Sequence, residues 1–120
     1  MISIIDINNS QSYYTGNTYE ATLMLESVET LYNGRKYIRP VAAAVALKCD
    51  LGDLLKALSK HKKAVCRTYG TNALDKYGNK NFIISPQDKI YLDGWASFFR
   101  CFDDDLSKDL VKYLEKENAA

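Results

Sequence analysis

Residues 37–63, YIRPVAAAVALKCDLGDLLKALSKHKK, decide how the rest of the chain is read. Pro40 pre-sets φ for a first helical turn and lacks the N–H that such a turn leaves unpaired, so it predicts a helix start. The apolar run Val41 to Leu47 follows, with three adjacent alanines that let a second helix approach closely. Lys48-Cys49-Asp50-Leu51-Gly52 is too polar and too glycine-marked to continue that helix smoothly. A second run, Asp53 to Lys60, places Leu54, Leu55 and Leu58 on one face. Ala44, Leu47, Cys49, Leu54 and Ala57 have the spacing of a helix-turn-helix core, although Lys48 stands where such turns carry a small residue. Asp50, Gly52, Asp53, Lys56 and Lys60 then point outward from the second helix, the one that can enter a DNA major groove. A plain helical hairpin inside an α+β core explains the same pattern, and both readings stay open.

A length of 120 residues suits one domain with a single core. Apolar content of 47% and charged content of 26% are those of an ordinary soluble globular chain. The start, MISIIDINNS, lacks the basic and long apolar regions of a secretory signal. No apolar run is long enough for a membrane span, and a cytoplasmic protein is expected. Three cysteines at wide spacing, Cys49, Cys66 and Cys101, read as buried thiols of a reducing compartment rather than a disulfide framework or zinc site. The net charge of +1 hides a segregation: residues 1–34 carry −4, residues 35–67 carry +7, residues 68–101 carry +1 and residues 102–120 carry −3. Positive charge gathered on and around one helical motif suits a local meeting with an anion, while an ordinary solvated lysine-rich helix end gives the same count.

Taken in order, residues 1–20 read as a loosely held, polar arm. Residues 21–39 read as a β-hairpin, with alternation around Leu23, Leu25 and Val28. Asn33-Gly34 marks its turn, because both central positions of a type I′ turn need φ > 0. Residues 40–63 form the helix-turn-helix-like pair. Residues 64–84 read as a second, wing-like hairpin, with Asn72, Lys76, Asn79 and Lys80 in a loop that could meet phosphate; a structural hairpin with an exposed tip fits equally. Residues 85–117 read as two helices. Ser85-Pro86-Gln87-Asp88 has the residues of a capped helix start. The stripe Ile90, Tyr91, Trp95, Phe98, Phe99 and Phe102 supplies the core, with Trp95 and Phe98 open to an interface role. Asp103-Asp104-Asp105 caps the last helix, which buries Leu106, Leu110, Val111 and Leu114. The fold class is therefore α+β, a single compact domain.

Catalysis finds little footing. His61 is the only histidine and lies in Lys60-His61-Lys62-Lys63, where neighbouring cations depress its pKa. No nucleophile elbow, HExxH or phosphate loop is present, nothing orients a Cys49–His61 pair, and no cofactor or metal is expected.

The order of elements resembles the Bro-N domain of phage antirepressors and baculovirus repeat proteins, a relative of the KilA-N domain. Gly34-Arg35-Lys36-Tyr37-Ile38-Arg39-Pro40-Val41-Ala42 matches the family's strand leading into a short helix. Lys60-His61-Lys62-Lys63-Ala64-Val65 matches its charged link to a hairpin, and Phe82-Ile83-Ile84-Ser85-Pro86-Gln87-Asp88-Lys89-Ile90-Tyr91 its strand running into a helix. Leu106 to Glu117 matches its closing helix. Where the family has Asn-Glu-Ser-Gly-Leu-Tyr, this chain has Ser-Pro-Gln-Asp-Lys-Ile-Tyr, and the family's Asp-Val in the first helix is missing. The likeness implies a viral or prophage protein acting on gene control through double-stranded DNA or another regulator. The candidate DNA contacts are Arg35, Lys36, Arg39, Lys48, Lys56, Lys60, Lys62, Lys63, Arg67, Lys76 and Lys80, and a homodimer stays open. The competing expectation is an inhibitor that binds a host protein through an aromatic and acidic surface. Basic residues scattered over the fold would weaken the first expectation. A fully buried Trp95, Phe98 and Phe99 would weaken the second.

Overall fold

A computed structural model describes residues 19–66 and 84–119. Six helices and three strands follow in chain order: α1 (Tyr19–Glu26), β1 (Glu29–Thr30), β2 (Lys36–Ile38), α2 (Pro40–Leu47), α3 (Leu51–Lys60), α4 (Lys62–Cys66), β3 (Ile90–Tyr91), α5 (Leu92–Phe99) and α6 (Asp105–Ala119). The strands form an antiparallel sheet in the order β1-β2-β3. The fold class expected from the sequence, a compact single α+β domain, holds for the described residues; several elements differ.

The stretch expected to open a hairpin is helical, since α1 occupies residues 19–26. Met24 is fully buried while its neighbours Leu23 and Leu25 are half-buried, so apolar side chains spread round the helix and hide its period; Val28, also half-buried, lies beyond its end. The hairpin itself is short. Leu31 N donates to Arg35 O and Gly34 N to Leu31 O, closing a three-residue loop, Tyr32-Asn33-Gly34. Gly34 has φ +88°, and Asn33 is not in the left-handed region, so a wider loop replaces the expected two-residue turn.

Pro40 opens α2 as its sequence requires. Lys48 ends it at φ 55° and ψ 41°, taking the left-handed conformation that glycine usually supplies. Cys49 N then bonds back to Ala44 O at 3.1 Å. Asp50 caps α3 by accepting from Asp53 N at 2.9 Å. Of the five expected core positions, Ala44, Leu47 and Leu54 are buried, while Cys49 and Ala57 are half-buried against the same cluster.

Residues 64–66 lie in the short helix α4 and not in a wing strand. Residues 67–83 of the expected wing, and residues 1–18 of the expected arm, fall outside the described residues. Ser85-Pro86-Gln87-Asp88 is a turn rather than a helix start: Asp88 N donates to Ser85 O, and Asp88 Oδ2 accepts from Ser85 N at 2.8 Å. Serine, proline and aspartate suit a β-turn as well as they suit a helix cap, and the strand formers Ile90 and Tyr91 make the sheet the better continuation. The helix begins only at Leu92.

The core sits between the sheet and α5, with α6 across it. Ile38 and Ile90 pair across β2 and β3 and are both buried. Trp95 Nε1 donates to Ile38 O at 2.9 Å, which fixes α5 to the central strand. Trp95, Phe98 and Phe99 are fully buried, each worth roughly 1.5–3 kcal/mol in transfer from water. Gly94 makes a notch for α4: a Cβ there would lie 2.5 Å from Val65 O. Asp104 caps α6, its carboxylate accepting from Ser107 N at 3.0 Å and Ser107 Oγ at 2.7 Å. No helix among the described residues is long and apolar enough to cross a membrane.

Candidate nucleic-acid interface

The basic residues of the 35–67 segment divide into two groups. Arg35, Lys36 and Arg39 flank or belong to β2, where acids from other elements meet them. Arg35 lies 3.4 Å from Asp93 and 3.6 Å above the Tyr91 ring. Lys36 donates to both the main-chain and side-chain oxygens of Glu117, at 3.0 and 3.3 Å, tying the end of α6 to the sheet. Arg39 donates to Gln87 Oε1 at 3.1 Å, while its Nε rests 3.3 Å from Glu29 as a charge contact without hydrogen-bond alignment.

The contacts of Arg35 and Arg39 have a common cause. Tyr37 pairs with Tyr91 on the sheet face opposite the Ile38–Ile90 pair, and strand alternation brings Arg35 and Arg39 to the same face. Lys89, which the sequence reading does not single out, reaches the Tyr37 ring at 5.5 Å. The only signal for it is its place two residues before Tyr91. On this face Arg35 and Arg39 cover Tyr91 and Tyr37 and meet Asp93 and Glu29 within the fold.

The second group lies on α3 and α4. With about 100° per residue, Gly52, Asp53, Lys56 and Lys60 share one stripe of α3, opposite the buried Leu54 and Leu58. Lys56 and Lys60 are exposed, and so is Lys63 at the start of α4. Lys62 is half-buried, and Lys60, Lys62 and Lys63 make the C-terminal end of α3 and the start of α4 basic, one turn beyond Lys56. Lys48 is exposed at the opposite end, about 15 Å away along a ten-residue helix, with Asp50 and Asp53 between. Arg67, Lys76 and Lys80 lie outside the described residues.

His61 holds the basic end in place. It closes α3, its N–H donating to Ala57 O, and its ring lies edge-on to Phe98 and Phe102 with centroids 6.0 and 5.5 Å away. Burial, and then the Lys60 charge, hold its pKa below the ordinary value. Sequence alone points only to the second of these causes. Cys49 sits at the other end of α3, so the two residues of the conceivable thiol–imidazole pair do not meet. Burial pushes the Cys49 thiol up to about 11, so it is protonated at neutral pH. Cys101 is exposed just beyond α5, contrary to the expectation of a buried thiol.

A groove of 480 Å³ runs beside the α2–α3 turn, lined by Val41, Ala44, Val45, Lys48, Cys49 and Leu51. Val45, in mid-helix, is 75% exposed there. The aromatic stripe considered as a protein interface is instead interior, since Trp95, Phe98 and Phe99 show no surface. Among the described residues no group of histidine, cysteine and acids is placed to hold a metal ion. Comparison with known proteins finds no matching family model, no similar curated protein and no similar solved structure.

Proposed function

We propose that this protein is a small DNA-binding regulator of the viral or prophage antirepressor type, meeting duplex DNA with the exposed face of α3 and the start of α4. The observation that carries the reading is that Lys56 and Lys60 are exposed on one stripe of α3, with Lys63 exposed where α4 begins directly after it. Two consecutive helices, α2 and α3, joined by the short turn at Lys48 support reading this pair as a helix-turn-helix. Arg35, Lys36 and Arg39 contribute to the fold rather than to this surface, because each meets an acid of another element. The inhibitor alternative loses its aromatic surface to the core.

The test is fluorescence anisotropy of a mixed-sequence duplex at low and at physiological salt. Micromolar binding that weakens steeply with salt, and disappears in Lys56→Glu/Lys60→Glu, is the expected outcome. Undiminished binding by that double variant would sink the proposal.

A further inference from the structure

Asparagine is a thermolabile residue, and it reacts most readily before glycine, where no Cβ shields the next backbone nitrogen. Asn33-Gly34 is the only such pair in the chain. The fold sets it at the tip of the β1–β2 loop, where Tyr32, Asn33 and Gly34 are all exposed. A Cβ built on Gly34 would meet nothing within 4 Å among the described residues, so a ring has room to form there. The Asn33 side chain is held over its own loop, with Oδ1 accepting from Arg35 N at 3.0 Å. A backbone N–H on that oxygen favours negative charge on it, as an oxyanion donor does. One contact opposes reaction, since Gly34 N donates to Leu31 O at 2.9 Å. That bond closes a loop whose outer strand, β1, is two residues long and exposed. So short a ladder opens locally at little cost in free energy, and opening frees the Gly34 amide.

We infer that Asn33 is a site of spontaneous deamidation in the folded protein, with water as co-reactant. The Gly34 nitrogen attacks Asn33 Cγ, the Cγ–Nδ2 bond breaks, and ammonia leaves carrying the proton that Gly34 N gives up. A cyclic succinimide remains. Water then opens it at one of two carbonyls, with no change of oxidation state. Breaking the bond from Gly34 N to Cγ leaves aspartate; breaking the bond from Gly34 N to the Asn33 main-chain carbon leaves isoaspartate, which lengthens the loop by a backbone carbon. Either product puts a carboxylate where a neutral amide stood, so the formal net charge falls by one, from +1 to zero. Asn118 is the other asparagine among the described residues and is also exposed. It lies in α6 before Ala119, where a Cβ and the helical backbone hinder the same ring closure.

The experiment ages the full chain below its melting temperature at neutral and at mildly alkaline pH. Isoelectric focusing, peptide mass mapping and an isoaspartate-specific methyltransferase assay then follow residue 33. The expected result is a species one charge more acidic, carrying both aspartate and isoaspartate at position 33 while Asn118 is intact. It should form faster at the higher pH, because the attacking amide must lose its proton. Asn33→Gln, whose longer side chain closes a ring far more slowly, should keep its amide under the same conditions with an unchanged circular dichroism spectrum. An Asn33 amide that survives the ageing, or that outlasts Asn118, overturns the inference. So do aspartate without isoaspartate, a rate that is equal at both pH values, and loss of the amide from Asn33→Gln as fast as from wild type.

Discussion

At Lys48 a charged residue with a Cβ occupies the left-handed conformation that closes α2. That geometry costs an ordinary L-residue roughly 1–2 kcal/mol, of which glycine's greater freedom in the unfolded chain takes back part. Lys48→Gly is therefore expected to raise stability by about 0.5–1 kcal/mol, measurable by urea unfolding. An unchanged or lower midpoint would mean that the lysine side chain compensates for the backbone. His61 gives a second prediction at this scale. Its depressed pKa means that the unfolded chain takes up a proton near the ordinary value of 6.5 while folded His61 stays neutral. The contribution is intact above that pH and is lost as pH falls through it toward the lower folded value. Thermal unfolding of the wild type and His61→Gln at about pH 7.5 and about pH 5.5 should show a smaller loss on acidification in the variant. The sequence makes part of this legible, since Lys60 and Lys62 flank His61 in plain view. The larger cause is not, because Phe98 and Phe102 lie some 40 residues away in the chain and only folding brings them to the ring.

At the scale of elements, α2 and α3 are readable because proline, an aspartate cap and a leucine face all point the same way. Helix α1 is not, since Leu23, Met24 and Leu25 are adjacent, pack on several sides at once, and with Val28 beyond the helix end have a spacing that fits a strand equally well. The turn at 85–88 fails for another reason: serine, proline and aspartate satisfy two local geometries, and only pairing of Ile90 with Ile38 chooses between them. Two substitutions probe how elements meet. Gly94→Ala places a Cβ against the Val65 carbonyl, backbone that cannot swing aside. It should cost about 2–3 kcal/mol and loosen α4, seen as faster amide exchange in residues 62–66. Asp104→Ala removes the cap of α6 and leaves Ser107 Oγ without its buried acceptor, for an expected loss of about 1–2 kcal/mol in chemical unfolding. An effect below about 0.5 kcal/mol would mean that solvent replaces the cap.

Across the whole molecule, the segregated charge of the sequence becomes two distinct uses of lysine and arginine. The β2 group meets acids, with Arg35 and Arg39 also covering tyrosines, and Lys56, Lys60 and Lys63 of α3 and α4 face solvent. Counting charges along the chain reveals the excess but cannot separate these uses, because the partners Asp93 and Glu117 come from distant segments. Lys56→Glu/Lys60→Glu should accordingly leave the melting temperature within a few degrees of wild type, since exposed substitutions shift stability by only about 0.5 kcal/mol each. A large drop would assign those lysines to the fold. The sheet has a bearing on association as well. Its outer strands, β1 and β3, are two residues long, and β1 carries the charged Glu29. Such brief edges offer an incoming strand almost no ladder to extend, which is how natural sheets resist edge-to-edge growth. Among the described residues, this sheet therefore gives a second copy of the chain little to pair with.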